Sequence, residues 1–255
     1  MEKTKKETAT VDYVSYRKSI PRLLDTLNAG EILASQRQIL IKPNLINASP
    51  PPVTTPVECC AAIVEYVRNT SEARVFIAEG CGAADRETRE IFDQLGYTGL
   101  TEQYDIKLVD LNSAETAITK CADCDIFPEM HLPRIAFDSY IISVPVLKAH
   151  SLAEITGTMK NMMGFAPPAH YQRGGHWKKS AFHRRIHQSI RELNRHVTPD
   201  LTVLDASVGL AEYHLGGPEC KPRVNRLLAG FDPRAIDRCA AEMLDLHWEK
   251  IPHLT

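Results

Sequence analysis

The chain has 255 residues, 24% charged and 44% hydrophobic, with a formal net charge of −2. That composition belongs to a globular protein and excludes disordered, collagen-like and coiled-coil classes. The near-zero net charge excludes a globally basic nucleic-acid binder. Residues Met1 to Thr10 are polar and charged with no apolar run behind them, and the longest apolar stretch, near Tyr140 to Leu147, is about half of what spans a bilayer. The expectation is therefore a soluble cytoplasmic protein.

An opening strand is expected around Val11 to Tyr16. Ser19 and Pro21 suit the start of a helix that Gly30 ends. QILIK (Gln38 to Lys42) reads as a short buried strand and runs into a proline-rich loop at Pro50 to Pro52. A helix is expected from about Pro56 to Asn69, then a strand from Ala73 to Ala78. Asp85 is placed to cap a helix closed by Gly96. Further strands are expected at Ile106 to Leu111, Tyr140 to Val146, Leu201 to Ala206 and Arg226 to Ala229. An amphipathic helix covers Ala235 to Trp248. Strands alternating with helices, with no composition shift that would mark a linker, predict a single α/β domain over 1–255. Its core is a mostly parallel β-sheet flanked by helices on both faces, with the site at the carboxyl ends of the strands.

Five apolar strands run into a charged or strongly polar residue. Lys42-Pro43-Asn44 follows QILI, Glu79-Gly80 follows VFIA, Asp110 follows KLV, Lys148-Ala149-His150 follows IISVPVL, and Asp205 follows TVL. Strand ends that meet solvent are polar in any case, which accounts for one or two of these. Five in one sheet are read as the lining of one crevice.

Gly80-Cys81-Gly82-Ala83-Ala84-Asp85 is no dinucleotide fingerprint, because an acidic residue stands where close helix packing needs Gly or Ala. A tight turn with Asp85 as helix cap is the better reading. Cys121 and Cys124 form one C-x-x-C without a second pair, so ordinary loop cysteines are favoured over a metal site. From Lys148 to His196 the charge is +7, leaving −9 elsewhere, and six of the ten histidines fall there. Such a stretch draws an anion. His183 and His187 have the spacing of a metal pair, but the stripe Ile186, Ile190, Leu193, Val197 beside them argues for packing histidines. In Gly157-x-x-Lys160-Asn161-x-x-Gly164, two glycines let the backbone approach a ligand while Lys160 and Asn161 supply a cation and an amide. The same string also reads as a helix end with its methionines turned inward.

The strings Ile41-Lys42-Pro43-Asn44-Leu45, Ala78-Glu79-Gly80, Ser143 to His150, Gly157 to Gly164, Leu204-Asp205-Ala206, Gly216-Gly217-Pro218 and Gly230 to Asp237 resemble the family catalogued as domain of unknown function 362. The resemblance runs in order from about Lys42 to the C-terminus, with 148–164 its most specific part. It implies an α/β domain and no particular activity. Some members of that family carry ferredoxin-like cysteine clusters; this chain has no such run. Similar chains often continue past Ile251-Pro252-His253-Leu254, so a last element is expected to be missing.

Two function classes follow. One is an enzyme acting on a small anionic substrate, a carboxylate or a phosphate, with metal assistance left open. Its candidate catalytic residues are Lys148, His150 and Glu79, and its candidate substrate-binding residues are Lys42, Asn44, Lys160 and Asn161. Asp205 is the candidate ligand for a divalent metal, alone or mixed with Glu79 and His150. The alternative is an iron–sulfur or metal-handling redox accessory protein without turnover of its own. A small anionic ligand is the partner expected; neither a membrane nor a nucleic acid is. The sequence carries no signal for oligomeric state.

Overall fold

A computed structural model describes residues 8–175 and 177–255, so the polar opening residues 1–7 and His176 of the basic stretch lie outside the described residues. The chain opens with β1 (Thr8–Asp12), α1 (Tyr16–Thr26), α2 (Ala29–Ala34), β2 (Gln38–Pro43), α3 (Val57–Thr70) and β3 (Arg74–Glu79). Next come α4 (Thr88–Gln94), α5 (Gly99–Gln103), β4 (Ile106–Asp110) and a separate hairpin, β5 (Thr116–Lys120) with β6 (Glu129–Pro133). The second half holds β7 (Tyr140–Val144), β8 (Val146–His150), β9 (Glu154–Ile155), α6 (Gly157–Asn161), α7 (Pro168–Tyr171), α8 (Ile186–His196), β10 (Leu201–Leu210), β11 (Arg226–Gly230) and α9 (Pro233–Met243).

The main sheet has the order β1-β11-β10-β7-β2-β3-β4, with β8 beside β10 and β9 beside β8. From β10 to β4 neighbouring strands are parallel; β11 and β1 add an antiparallel edge. Both faces are covered. Ile39, Ile41, Val75, Ile77, Leu201 and Val203 pack with Ile20, Leu24, Ile63 and Val67 of α1 and α3. Leu40, Ala78, Ile141 and Leu204 pack with Met159 of α6, Phe165, Leu193 of α8 and Ile236 of α9. The stripe Ile186, Ile190, Leu193, Val197 is buried in this second layer, as its helical spacing requires.

Several boundaries differ from expectation. The opening helix starts at Tyr16 with Pro21 inside it, and left-handed Asn28 (φ 53°) follows its end, while Gly30 lies within α2. Asp85 is exposed and caps nothing; Glu87 is the N-cap of α4, and its N–H donates to Glu90 at 3.2 Å. The last amphipathic helix stops at Met243, shortly before left-handed Asp245 (φ 56°). No described helix is long and apolar enough to cross a membrane.

Candidate functional site

Side chains alternate along a strand, so Lys42 shares a face with Leu40 and points to the α6 layer. There it is fully buried, and its Nζ donates to Glu79 Oε1 (2.8 Å), Pro43 O (3.0 Å) and Asn161 Oδ1 (3.2 Å). Asn161 Nδ2 donates to Ser143 Oγ of β7 at 3.0 Å. Asn44 Nδ2 donates to Asn161 Oδ1 (3.1 Å), and Asn44 Oδ1 accepts from Lys148 Nζ at 2.6 Å. One polar network thus joins the ends of β2, β3, β7 and β8 to α6.

In front of this network lies a cavity of about 260 Å³. Of the sequence candidates, Lys42, Asn44, Glu79, His150, Lys160 and Asn161 line it. Lys148 does not: its Nζ is spent on Asn44 and on Val53 O (2.6 Å), behind the wall. Asp205 is not brought to the cavity either. It shares a face with Leu201 and Val203, opposite the cavity, and accepts from Tyr16 Oη at 2.8 Å and from Ser207 N at 2.9 Å. A mixed Glu79, Asp205 and His150 metal set is therefore not assembled.

Sequence reasoning missed Lys179, His214, Trp177 and Tyr213, and it read His183 as a packing histidine; all five line the cavity. Lys179 arrives because Trp177 bridges Ala83 and Lys178 N donates to Gly82 O (2.8 Å). Its Nζ then donates to Asn112 Oδ1 and Ala166 O. Its membership of the basic stretch was the available signal. His214 sits in the loop after β10 and had no sequence signal.

Glu79 spends its oxygens on Lys42, on Gly80 N (2.8 Å) and on Leu45 N (2.8 Å). That saturation suits a structural counter-ion better than a proton carrier. The two glycines of the 157–164 string serve neighbours within the protein. A Cβ on Gly164 would lie 2.2 Å from Glu79 Oε1 and 2.6 Å from Lys42 Nζ. Gly157 is left-handed (φ 53°), and Asp237 beside it accepts the N–H groups of Thr158 (2.6 Å) and Met159 (2.9 Å) at the start of α6.

The electrostatics are one-sided. Burial pulls Lys160 down to about 8 and Lys179 to about 7. Burial, with Lys160 adding, pulls Lys148 to about 7. Lys42 is also lowered by burial, with Glu79 opposing. His150 is pushed well below the ordinary histidine range by burial first, then by Lys160, His214 and Lys148. Burial and Lys160 take His214 down to about 3. His150 Nδ1 accepts two backbone amides, Leu152 N and Ala153 N, each at 3.1 Å. An imidazole whose Nδ1 accepts carries its proton on Nε2. The ring is therefore a neutral donor, stacked on His214 with centroids 3.9 Å apart, and in this tautomer Nε2 cannot serve as a base or metal ligand.

His183 and His187 separate. The first lines the cavity from a 3₁₀ turn, Ser180–Arg185; the second, on α8, meets His253 Nδ1 at 2.8 Å.

The mostly parallel sheet covered on both faces makes this an α/β protein. The sequence profile described as "Domain of unknown function (DUF362)" matches residues 39–242, and the chain belongs to that family. The chain is similar in structure to the lactate racemase apoprotein from Thermoanaerobacterium thermosaccharolyticum, with a TM-score of 0.56 and 13% identity over 91% of this chain and 55% of that one. It is also similar to a structural-genomics protein from Thermotoga maritima, with a TM-score of 0.52 and 11% identity over 94% of this chain and 61% of that one. At these identities the likeness is one of fold. The chain spans little more than half of the length of these two neighbours. A search of curated proteins finds no match to the sequence.

Proposed function

We propose that the cavity binds a small organic anion, a carboxylate or a phosphate, and transfers a proton on it. The observation that carries this reading is the charge imbalance. Lys42, Lys160 and Lys179 line one small space in which Glu79, already committed to Lys42, is the single carboxylate among the described residues. Buried ammonium groups without counter-charge shed their protons or take an anion. Ile46, Leu152 and Met163 add an apolar wall for the carbon part of the ligand.

The roles divide by hydrogen bonding. Lys42 and Lys179 are pinned by protein acceptors and serve as fixed hydrogen-bond donors. Lys160 is lowered toward neutral pH like Lys179, but unlike Lys42 and Lys179 it donates to nothing among the described residues, so its proton is the one free to move. His150 Nε2–H donates to the oxygen on which charge develops, as a neutral imidazole can. The racemase with the similar fold acts, by its name, on a small carboxylate, which is the class this cavity suits.

The test is a titration of the protein with inorganic phosphate and with small carboxylates, followed by Trp177 fluorescence, beside NMR of hydrogen exchange on those carboxylates in deuterated water. Saturable binding that Lys160→Met weakens, and exchange that Lys160→Arg abolishes while keeping the binding, are expected. Equal binding by wild type and Lys160→Met, or no binding of either anion class, would overturn the proposal.

A further inference from the structure

A second site lies outside the cavity, between the β5–β6 connection and the end of α8. Cys121, Cys124 and His196 each offer a donor atom, and these atoms lie within 4.8 Å of one another. No other such group of three occurs among the described residues. We propose that Cys121, Cys124 and His196 bind one zinc ion, with the fourth position open to water on the half-exposed Cys121 side.

The donor set is the first argument. Two thiolates and an imidazole are borderline-soft ligands, which favour zinc over magnesium or calcium, and three protein ligands plus water complete a tetrahedron. Their orientation is the second. His196 Nε2 lies 2.8 Å from Phe127 O, the backbone carbonyl contact that metal-bound histidines use to fix the ring. With that proton committed, Nδ1 keeps the lone pair; its contact in the fold is the Thr119 hydroxyl at 3.4 Å, a long hydrogen bond that an ion would replace.

The scaffold is the third argument. Three successive N–H groups, of Asp125, Ile126 and Phe127, donate to the Glu192 carboxylate at 3.1, 2.8 and 2.8 Å. Arg195 donates to Asp123 Oδ2 and to Asp123 O, both at 3.0 Å. Glu192, Arg195 and His196 all belong to α8, so one helix holds the cysteine loop from both sides and supplies the third ligand. A site held this way is organised before the ion arrives. Loading is a ligand exchange without redox chemistry: zinc displaces one proton from each thiol, both protons go to solvent, and two zinc–sulfur bonds form.

The test uses the whole chain, reduced and metal-free, titrated with Co²⁺ and then Zn²⁺. One cobalt per chain with thiolate-to-cobalt absorption, displaced by zinc and lost in Cys121→Ser, is expected. The cavity cannot mimic this band, because no cysteine lines it. Alkylation mapped by mass spectrometry gives a readout that needs no variant: zinc should protect Cys121 and Cys124 while Cys239 reacts at its unprotected rate. A reduced wild type that shows no thiolate band, a Cys121→Ser protein that keeps the band, or a chain that forms a Cys121–Cys124 disulfide in air yet takes up no cobalt when reduced would each overturn the assignment.

Discussion

Lys148 Nζ lies 2.6 Å from Asn44 Oδ1, and through that contact a buried lysine behind the cavity sets the amide that faces it. Asn44 then orients Asn161 through a second bond of 3.1 Å. Lys148 is thus a positioning residue. Lys148→Met should weaken phosphate binding about 10- to 100-fold, the worth of a hydrogen bond to a charged group. Asn44→Ala should do the same, and the double variant should be little worse than either single one. Calorimetric titration of the three variants checks this; fully additive losses would mean that Lys148 reaches the ligand independently.

His150 separates its two ring nitrogens by role. Asparagine can place its oxygen near the Nδ1 position and keep the amides of Leu152 and Ala153 satisfied, while removing the Nε2–H donor. Glutamine reaches instead toward the Nε2 position and strands both amides. His150→Gln should therefore lose about 1–3 kcal/mol of stability, and His150→Asn less, while both lose proton-transfer activity. Denaturant unfolding of the pair is the measurement. Nitrogen NMR of the wild type should show one neutral ring, protonated at Nε2, with no titration between pH 5 and 8. A ring that titrates near the ordinary histidine range would contradict the assigned tautomer.

Part of the pH dependence follows from Lys160, beside the more strongly lowered Lys148 and Lys179. In the unfolded chain Lys160 holds its proton up to the ordinary lysine value of 10.5, and in the fold it releases it near 8. Between those values the unfolded chain binds more protons, so this group makes the ligand-free protein more stable as pH rises across that window. Below about 8 the cost of burying the charge is present in full. Lys160→Met should stabilise the ligand-free protein at pH 7 by about 1–4 kcal/mol and flatten the rise. Phosphate, which favours the protonated lysine, should stabilise the wild type most below pH 8. Unfolding curves from pH 7 to 10 test both statements; parallel profiles for wild type and variant would refute them.

Gly164 has no room for a methyl group against Glu79 and Lys42. Gly164→Ala should cost at least about 1–3 kcal/mol and disturb anion binding with it. Gly99, at the start of α5, meets nothing within 4 Å, so Gly99→Ala should be neutral or slightly stabilising. Thermal melts of the two proteins make the comparison.

Much of the architecture could be read from local patterns. The apolar runs around Ile39, Val75, Ile141 and Val203 became neighbouring parallel or near-parallel elements of one sheet, because only mutual burial accommodates such strands. The polar residues that end β2 and β3, with the Lys160-Asn161 step, were also legible, and Lys42, Asn44, Glu79, Lys160 and Asn161 do converge.

What only the tertiary structure decided was direction. A strand buried on both faces shows no alternation to say which residues face which layer, so nothing in TVLDA told that Asp205 turns to Tyr16 while Lys42 turns to Asn161. Nor could spacing show that Lys148 stops behind Asn44, or that His150 hands its Nδ1 to backbone amides from the turn that follows it. His214 and Lys179 reach the cavity through long-range packing of loops, and His196 reaches Cys121 and Cys124 across more than seventy residues of chain. Residue type and local period are properties of a segment, whereas the meeting of side chains from distant segments depends on the register and parity that packing alone selects.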